Sequence, residues 1–413
     1  MAADVLMSDA LALDGSVLIV GASLGGLRTA QGLRDLGFVG TITLVGDEVH
    51  PPYDRPPLSK QVAIGKWDIG RTVLLDDERQ AALNLDLQLG RKATHLDPET
   101  ATVTFADGGT LSADRVVIAT GARPRTLSVP EGVTAHVVRS YEDGVALHQA
   151  LNTAPRRVVV IGAGFIGAEV ASSARSFGHE VTVVETQSIP LATILGEELG
   201  ARCAALHEKG GVTLLAGTSV DGIAADGNGG AILTLGNGHE LHADVLVAGI
   251  GVIPNTEWLV GSGLSINNGV EVDGALFAHD RVVAVGDVAR FAWTRLNMTS
   301  AERIEHWQVA ADHGRFAAEG LLAGRQAATP IQLLPYFWSD QYGVKLQMLG
   351  RPASTDHVHV VDEDDEGRLL ALYERDGQVS AAFAISKPRA LMQLRAALLE
   401  GVTVAEARQL LAN

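Results

Sequence analysis

The sequence predicts an α/β protein made of two doubly wound parallel-sheet units, the second inserted in the first, with an α+β domain after them. Three observations predict this. A strand–glycine–helix phrase is written twice, at residues 16–36 and 157–177. Further aliphatic runs that break at glycine, 115–120, 244–251 and 281–285, supply strands before and after the second copy. From about residue 326 the glycine turns give way to short strand-like runs and a helical tail.

In chain order, residues 1–15 lack a basic segment ahead of an apolar one and read as a short disordered lead rather than a signal peptide. Ser16–Val20 (SVLIV) is the continuous aliphatic run of a strand buried on both faces. It runs into Gly21-Ala-Ser23-Leu-Gly25-Gly26, a helix over 27–36 closed by Gly37, and a second strand, Thr41–Val45, ending in Gly46-Asp47-Glu48. The second copy has the strand Arg157–Ile161, the turn Gly162-Ala-Gly164-Phe165-Ile166-Gly167, a helix over 168–177, and a strand over 181–184 ending in Glu185.

Such a turn has a mechanical job. Its first glycine makes the tight bend, the second lets backbone approach a pyrophosphate, and the third lets helix and strand pack closely. The phosphates meet unpaired N–H groups and the positive end of the helix dipole. One such turn is weak evidence. Two, each flanked by strands and followed by an acid, point to two Rossmann-like dinucleotide sites. The copies differ: Ser23 stands where the second glycine belongs, whereas the Gly162 copy is intact. Glu185, followed by Thr186-Gln187 with no arginine, favours ribose hydroxyls over a 2′-phosphate, hence NADH over NADPH.

The run 115–120 leads through Gly121-Ala-Arg123 towards the second copy, and 244–251 leaves it through Val-Ile-Pro254-Asn255. Residues 281–285 then end in Gly286-Asp287, a carboxylate at the C-terminal end of a strand, where open α/β sheets bind ligands. The expected domains are 1–121 with 252–325, then 122–251, then 326–413. The last holds strand-like runs at 345–348, 369–373 and 379–384 and helix-like runs at 388–399 and 404–411.

Composition narrows the function. The 413 residues include 49 acidic against 32 basic side chains, a net charge of −17, which argues against nucleic acid. No apolar run approaches the ~20 residues of a membrane span. The single cysteine, Cys203, excludes an internal disulfide, a CxxC pair and a cysteine-held cluster, and a reducing, cytoplasmic setting is expected. His357 and His359 stand before an acidic turn and read as strand residues rather than metal ligands, so no metal is expected.

With GASLGG at 21–26, YDRPPLSK at 53–60, ATGARPR at 119–125, GAGFIGAE at 162–169, GIGVIPN at 249–255, AVGD at 284–287 and PYFWSDQYG at 335–343, the chain resembles the FAD-dependent pyridine nucleotide–disulfide oxidoreductase superfamily. Within it, residues 16–413 are similar to the NADH:ferredoxin reductases of bacterial oxygenase systems. The resemblance implies a glutathione-reductase-like fold, with FAD on the first turn and NADH on the second. It places Gly21, Ser23, Gly25 and Gly26 at the FAD pyrophosphate, Asp47 at its ribose and Ala93 at the adenine. Lys60 reaches the flavin ring, Arg123 and Asp287 the ribityl and phosphate arm, and Trp307, opening a helix over 307–322, lies over or beside the ring. Arg55, Thr120, Gly121 and Gly286 complete the FAD set. Gly162, Gly164, Phe165, Ile166, Gly167 and Glu185 hold NADH, with Gly249, Ile250 and Gly251 beside them. Lys60 and Glu169 are the implied catalytic residues, with Glu169 near the nicotinamide, and Asp54 and Arg55 beside Lys60 are expected to hold the lysine and its loop.

The family's disulfide members carry a cysteine pair, and its peroxidases a single cysteine, near the segment that here spans 49–60 and has none. Electrons are therefore expected to leave the flavin directly, singly, to a [2Fe–2S] ferredoxin that feeds a cytochrome P450 or a Rieske-type ring-hydroxylating dioxygenase. A related NADH oxidase or rubredoxin reductase, or a redox sensor like apoptosis-inducing factor, stays open. The chain is expected to be a monomer or weak dimer. An acidic ferredoxin requires a local basic patch, for which Arg295, Arg303, Lys345, Lys387 and Arg389 are the candidates. PYFWSDQYG is expected to wall the flavin, shaping the ferredoxin dock or the nicotinamide pocket.

Overall fold

Strands made of unbroken aliphatic runs organise each half of the molecule. A computed structural model describes residues 9–292 and 301–412. The chain divides into two compact units, Met1–Asp54 with Val73–Arg123 and Ile253–Pro335, and Arg55–Thr72 with Pro124–Val252 and Tyr336–Asn413.

In the first unit β1 (Ser16–Val20), α1 (Leu24–Asp35) and β2 (Thr41–Val45) follow the sequence phrase. The sheet runs Phe277–His279, Val282–Ala284, Arg115–Ile118, β1, β2, Leu85–Gln88, and all its pairs are parallel except the one at Phe277–His279. Alternate β1 residues feed two cores. Val17 and Ile19 join Leu27, Ala30 and Leu33 of α1, while Leu18 and Val20 join Leu96 and Phe105. That is why the strand is apolar at every position but its first. The helix Trp307–Ala323 lies against α1 so closely that a Cβ on Gly314 would stand 2.7 Å from the Gly25 carbonyl oxygen. The expected disordered lead is packed from Asp9 on: Leu11 is buried and donates its N–H to Leu321 O, and Arg115 donates to Asp9 O.

In the second unit β3 (Arg157–Ile161), α2 (Phe165–Ser176) and β4 (Glu180–Val184) repeat the arrangement. Its parallel sheet runs Thr213–Leu215, β4, β3, Val245–Ala248, Ala135–His136. The C-terminal residues add an antiparallel sheet, β5 (Tyr336–Gln341), Val344–Gly350, Gln378–Ile385, Leu369–Arg375, His357–Glu363. One face of it, with Phe337, Met348, Tyr373 and Phe383, buries Leu195, Leu199, Cys203 and Leu206 of the helix Ala192–Lys209. Burial pushes the Cys203 thiol up to about 12. Residues 336–413 therefore belong to one compact unit with the second glycine turn, and the segment Arg55–Thr72 belongs there too.

Candidate functional site

The first glycine of each turn is fixed by its backbone. Gly21 has φ +124° and Gly162 φ +100°, and a Cβ would stand 2.1 Å from Ala119 O in one and 2.4 Å from Gly249 O in the other. The third glycines, Gly26 and Gly167, hold helix to strand: their Cβ atoms would lie 2.2 and 2.0 Å from the carbonyl oxygens of Gly21 and Gly162. The middle position differs. A Cβ on Gly164 would meet nothing within 4 Å, an open cradle before the first N–H groups of α2, which have no intrahelical acceptors. At the corresponding place Ser23 caps α1 in extended backbone. The open, donor-lined second turn fits a dinucleotide pyrophosphate.

Glu185 does more than close the second strand. Its Oε2 accepts from Ala163 N at 2.8 Å and its Oε1 from Gln187 N at 2.9 Å, so the buried carboxylate braces the glycine turn itself. In the first unit the residue after the strand is Gly46, where a Cβ would press on the Ala22 Cβ at 2.7 Å, and Asp47 follows it exposed. Of the NADH candidates, Phe165 packs on Phe337 with ring centroids 4.6 Å apart, and Ile166 is 46% exposed on the first turn of α2. Gly249 faces Gly167, its Cβ position 3.2 Å from that Cα. Ile250 packs against the core of Val159 and Ile161, and Gly251 O accepts from Arg125 N.

Among the FAD candidates of the first unit, Thr120, Gly121 and Arg123 converge on Asn255. Thr120 Oγ1 donates to Asn255 O at 2.9 Å, Asn255 N donates to Gly121 O at 3.0 Å, and Arg123 donates to Asn255 Oδ1 at 3.0 Å and to Glu257 Oε1 at 2.6 Å. Gly286 N donates to Nδ1 of His313, a fully buried ring whose pKa burial pushes down to about 3. Asp287 O accepts from Arg303 at 2.9 Å, and Ala93 opens a hairpin strand beside the core of Leu96 and Phe105. Trp307 is the first residue of its helix and donates Nε1–H to Asp54 Oδ1 at 2.6 Å.

Lys60 and Glu169 come together, 109 residues apart in sequence. Lys60 Nζ donates to Glu169 Oε2 at 2.9 Å, and the carboxylate is 3% exposed. Ser59 Oγ–H donates to the same oxygen at 2.5 Å. On the other oxygen Ser339 Oγ–H donates at 2.7 Å and Asp340 N at 3.3 Å. The expected partners of Lys60 are thus replaced: Asp54 holds Trp307, Arg55 donates to Arg139 O, and Glu169 holds the lysine. Sequence reasoning missed Ser59, Ser339 and Gln341. The available signal was the alternation of β5, which buries Phe337, Ser339 and Gln341 and leaves Tyr336, Trp338 and Asp340 half-exposed. PYFWSDQYG is thereby a strand and turn that dock on α2, with Tyr342 N donating to Ser172 Oγ at 2.7 Å and Tyr342 OH bonded to His207 Nδ1 at 2.8 Å.

The basic candidates are largely matched by acids. Arg303 pairs with Glu305 at 2.8 Å, Lys345 with Asp340 at 3.3 Å and Lys387 with Asp362 at 2.6 Å. Arg389 is exposed, and Arg295 lies outside the described residues. His359 is paired with Glu374 at 2.6 Å.

Residues 15–314 match the pyridine nucleotide-disulphide oxidoreductase family model, and residues 336–411 match a reductase C-terminal family. The chain is 38% identical over 376 residues to the anthranilate 1,2-dioxygenase system ferredoxin–NAD(+) reductase component of Burkholderia cepacia, spanning 90% of this chain and 91% of that one. It is 36% identical over 392 residues to rhodocoxin reductase of Rhodococcus erythropolis, spanning 92% and 88%. Among solved structures, the covalent putidaredoxin reductase–putidaredoxin complex aligns with a TM-score of 0.86 at 31% identity, covering 94% of this chain and 93% of that chain.

Proposed function

We propose, from the premise that the chain belongs to the pyridine nucleotide-disulphide oxidoreductase family, that it is an FAD-containing NADH:ferredoxin oxidoreductase whose [2Fe–2S] ferredoxin supplies a cytochrome P450 or a ring-hydroxylating dioxygenase. The observation that carries this reading is the near end-to-end similarity to reductase components of oxygenase systems. The cysteine census supports it: the one thiol, Cys203, is buried in an apolar core, so no thiol relay competes with a protein acceptor.

The residues divide the work as follows. Gly21, Ser23, Gly25 and Gly26 hold the FAD pyrophosphate with Asp47 at its ribose, while Ala93, Thr120, Gly121, Arg123, Gly286, Asp287 and Trp307 line the rest of that cofactor, with Arg55 and Lys60 contributed by the loop before residue 73. Gly162, Gly164 and Gly167 admit the NADH pyrophosphate to the N-terminus of α2. Glu185 keeps that turn shaped and presents acceptors to ribose hydroxyls, while repelling a 2′-phosphate. Phe165, Ile166 and Gly249–Gly251 flank the nucleotide. When bound, the cofactors supply the redox chemistry, a two-electron hydride step followed by one-electron release to the ferredoxin. Lys60 places its ammonium, fixed by Glu169, where negative charge is stabilised, and the two residues orient rather than transfer protons. On this reading 1–121 with 252–325 form the FAD-binding domain, 122–251 the NADH-binding domain and 326–413 the C-terminal domain. No described helix is long and apolar enough to cross a membrane, and a lone buried thiol suits a cytoplasmic protein.

The test is NADH consumption in air by the purified flavoprotein, with cytochrome c as reporter, with and without a [2Fe–2S] ferredoxin. Strong ferredoxin-dependent stimulation over a slow oxygen background is expected. Rapid NADH loss to oxygen, unchanged by several ferredoxins, would overturn the reading in favour of an oxidase.

A further inference from the structure

The carboxylate of Glu169 is served from two sides, and on one side the direction of every hydrogen bond is determined. Gln341 Nε2–H donates to Ser339 Oγ at 3.0 Å. An amide nitrogen has no acceptor capacity. Ser339 must therefore use its single hydroxyl hydrogen elsewhere, and its Oγ lies 2.7 Å from Glu169 Oε1. The order is Gln341 to Ser339 to Glu169 Oε1, with Lys60 and Ser59 on Oε2. Ser59 is itself held, its carbonyl oxygen accepting from Ser173 Oγ at 2.7 Å. Glu169, Ser339 and Gln341 are all buried, so no water competes for these bonds.

We infer that Ser339, oriented by Gln341, is a positioning residue of the reductase: it fixes the plane of the Glu169 carboxylate and thereby the aim of the Lys60 ammonium. The inference rests on the reading of Lys60 and Glu169 as the pair beside the reacting rings. The geometry gives a reason for a polar Ser-x-Gln on the buried face of β5, where a strand packing on a core would otherwise carry aliphatic residues. Without the Ser339 hydroxyl, Oε1 keeps, among the described residues, the long 3.3 Å contact from Asp340 N, and the carboxylate turns about its side chain towards Lys60 and Ser59. The lysine then loses a fixed direction although its partner remains.

The experiment is anaerobic stopped-flow reduction of the holoenzyme by NADH, with the limiting rate expressed per bound flavin and the half-saturating NADH read from the same series. Ser339→Ala is expected to slow the limiting rate about tenfold, the usual scale for a donor lost from an ionised acceptor, with half-saturation moving less than about twofold. Ser339→Thr, which keeps the hydroxyl, restores the rate. Gln341→Met keeps the side-chain volume and removes the donor, so it serves if the Ser339 variants fold poorly, and it is expected to slow the rate about threefold. The double variant is no slower than Ser339→Ala alone, because both lie on one chain of bonds. If Ser339→Ala and Gln341→Met keep the wild-type limiting rate while Glu169→Gln slows it, the positioning role falls and the role of the pair stands. If Glu169→Gln and Lys60→Met also keep the rate, the reading of the pair falls and the inference with it.

Discussion

The two glycine turns show how one backbone device is stabilised in two ways. In the first unit the chain after β2 turns away at Gly46, which packs on Ala22, and its acid, Asp47, stands in solvent. In the second the acid comes one place earlier, and Glu185 reaches back to hold the N–H of Ala163. The first turn is closed by packing, the second by a buried charge. A ligand that stays bound needs little from the free protein, whereas a nucleotide that comes and goes needs a turn that keeps its shape when empty. The difference suits resident FAD on the first turn and exchanging NADH on the second.

The sharpest way to break the comparison is to spoil each turn separately. A Cβ at Gly21 or Gly162 meets backbone oxygen at 2.1 or 2.4 Å at a positive φ, so neither site relaxes by moving a side chain. Gly21→Ala is expected to yield largely colourless protein. Gly162→Ala is expected to stay yellow and accept dithionite electrons, while its half-saturating NADH rises by about a hundredfold, a loss of about 2.7 kcal/mol. Visible spectra and NADH titration read both outcomes, and a yellow Gly21→Ala protein with normal NADH reduction would reverse the assignment.

Burial also lowers the pKa of histidines in both units, His313 to about 3 in the first, and in the second His207 to about 4 with His136 shifted the same way. Their folded values lie below the ordinary 6.5. The stability they carry is therefore complete above pH 6.5 and declines below it, as the unfolded chain takes up protons that the fold refuses. For His207 the decline ends near pH 4 and amounts to about 3 kcal/mol. Urea unfolding from pH 7 to pH 4 should show this slope in the wild type and a shallower one in His207→Gln. An unchanged slope would place the acid sensitivity elsewhere.

The next contrast is smaller. Glu185→Ala removes the brace of Ala163 and is expected to cost the ligand-free protein about 1–3 kcal/mol, because it leaves a buried donor unmatched. Asp47→Ala, at an exposed carboxylate, is expected to stay within about 0.5 kcal/mol. Melting both variants without added nucleotide decides it, and equal losses would erase the distinction between a packed and a charged turn.

These contrasts also mark what was legible in the chain. The turns were, since Gly21 and Gly162 take a positive φ and Gly26 and Gly167 press on the carbonyl oxygens of Gly21 and Gly162 within the same turn, and such local demands are written at one place. The strands were too, because burial on both faces leaves an unbroken aliphatic run. The internal role of Glu185 was not, since it depends on a bond back across 22 residues that periodicity does not encode. Still less visible was the setting of Glu169, whose donors come from residues 59–60 and 339–340. Asp54 and Arg55 stood nearer to Lys60 in sequence and were the natural guess, but hydrogen-bond partners follow packing and not proximity along the chain. The lead before Ser16 read as disordered, yet from Asp9 on it is seated by the buried Leu11 and by hydrogen bonds with Leu321, Arg115 and Gln326.

The smallest effect lies at the opposite ends of the strands, where the units again solve one problem with different chemistry. The residue opening the first strand is tied to the aspartate preceding its parallel neighbour: Ser16 N and Oγ donate to Asp114 Oδ2 at 2.7 and 2.8 Å, and Arg157 N and Nη2 donate to Asp244 Oδ2 and Oδ1 at 2.9 and 2.6 Å. Only the second brace carries a full positive charge, and the Arg157 hydrogen bond holds Asp244 down at about 2. A carboxylate lowered in the fold stabilises above its unfolded value near 3.8, and that contribution is lost as pH falls through about 2. Both side chains are partly exposed, so solvent and salt screen the pair, leaving about 0.5–1 kcal/mol. Arg157→Ser gives the second unit the chemistry of the first. Its deficit against wild type should be measurable in urea at pH 7 and low salt, shrink in about 1 M NaCl, where the screening length falls to about 3 Å, and vanish towards pH 2. A deficit insensitive to both salt and pH would mean that the arginine contributes by packing its stem against the strand and not by its charge.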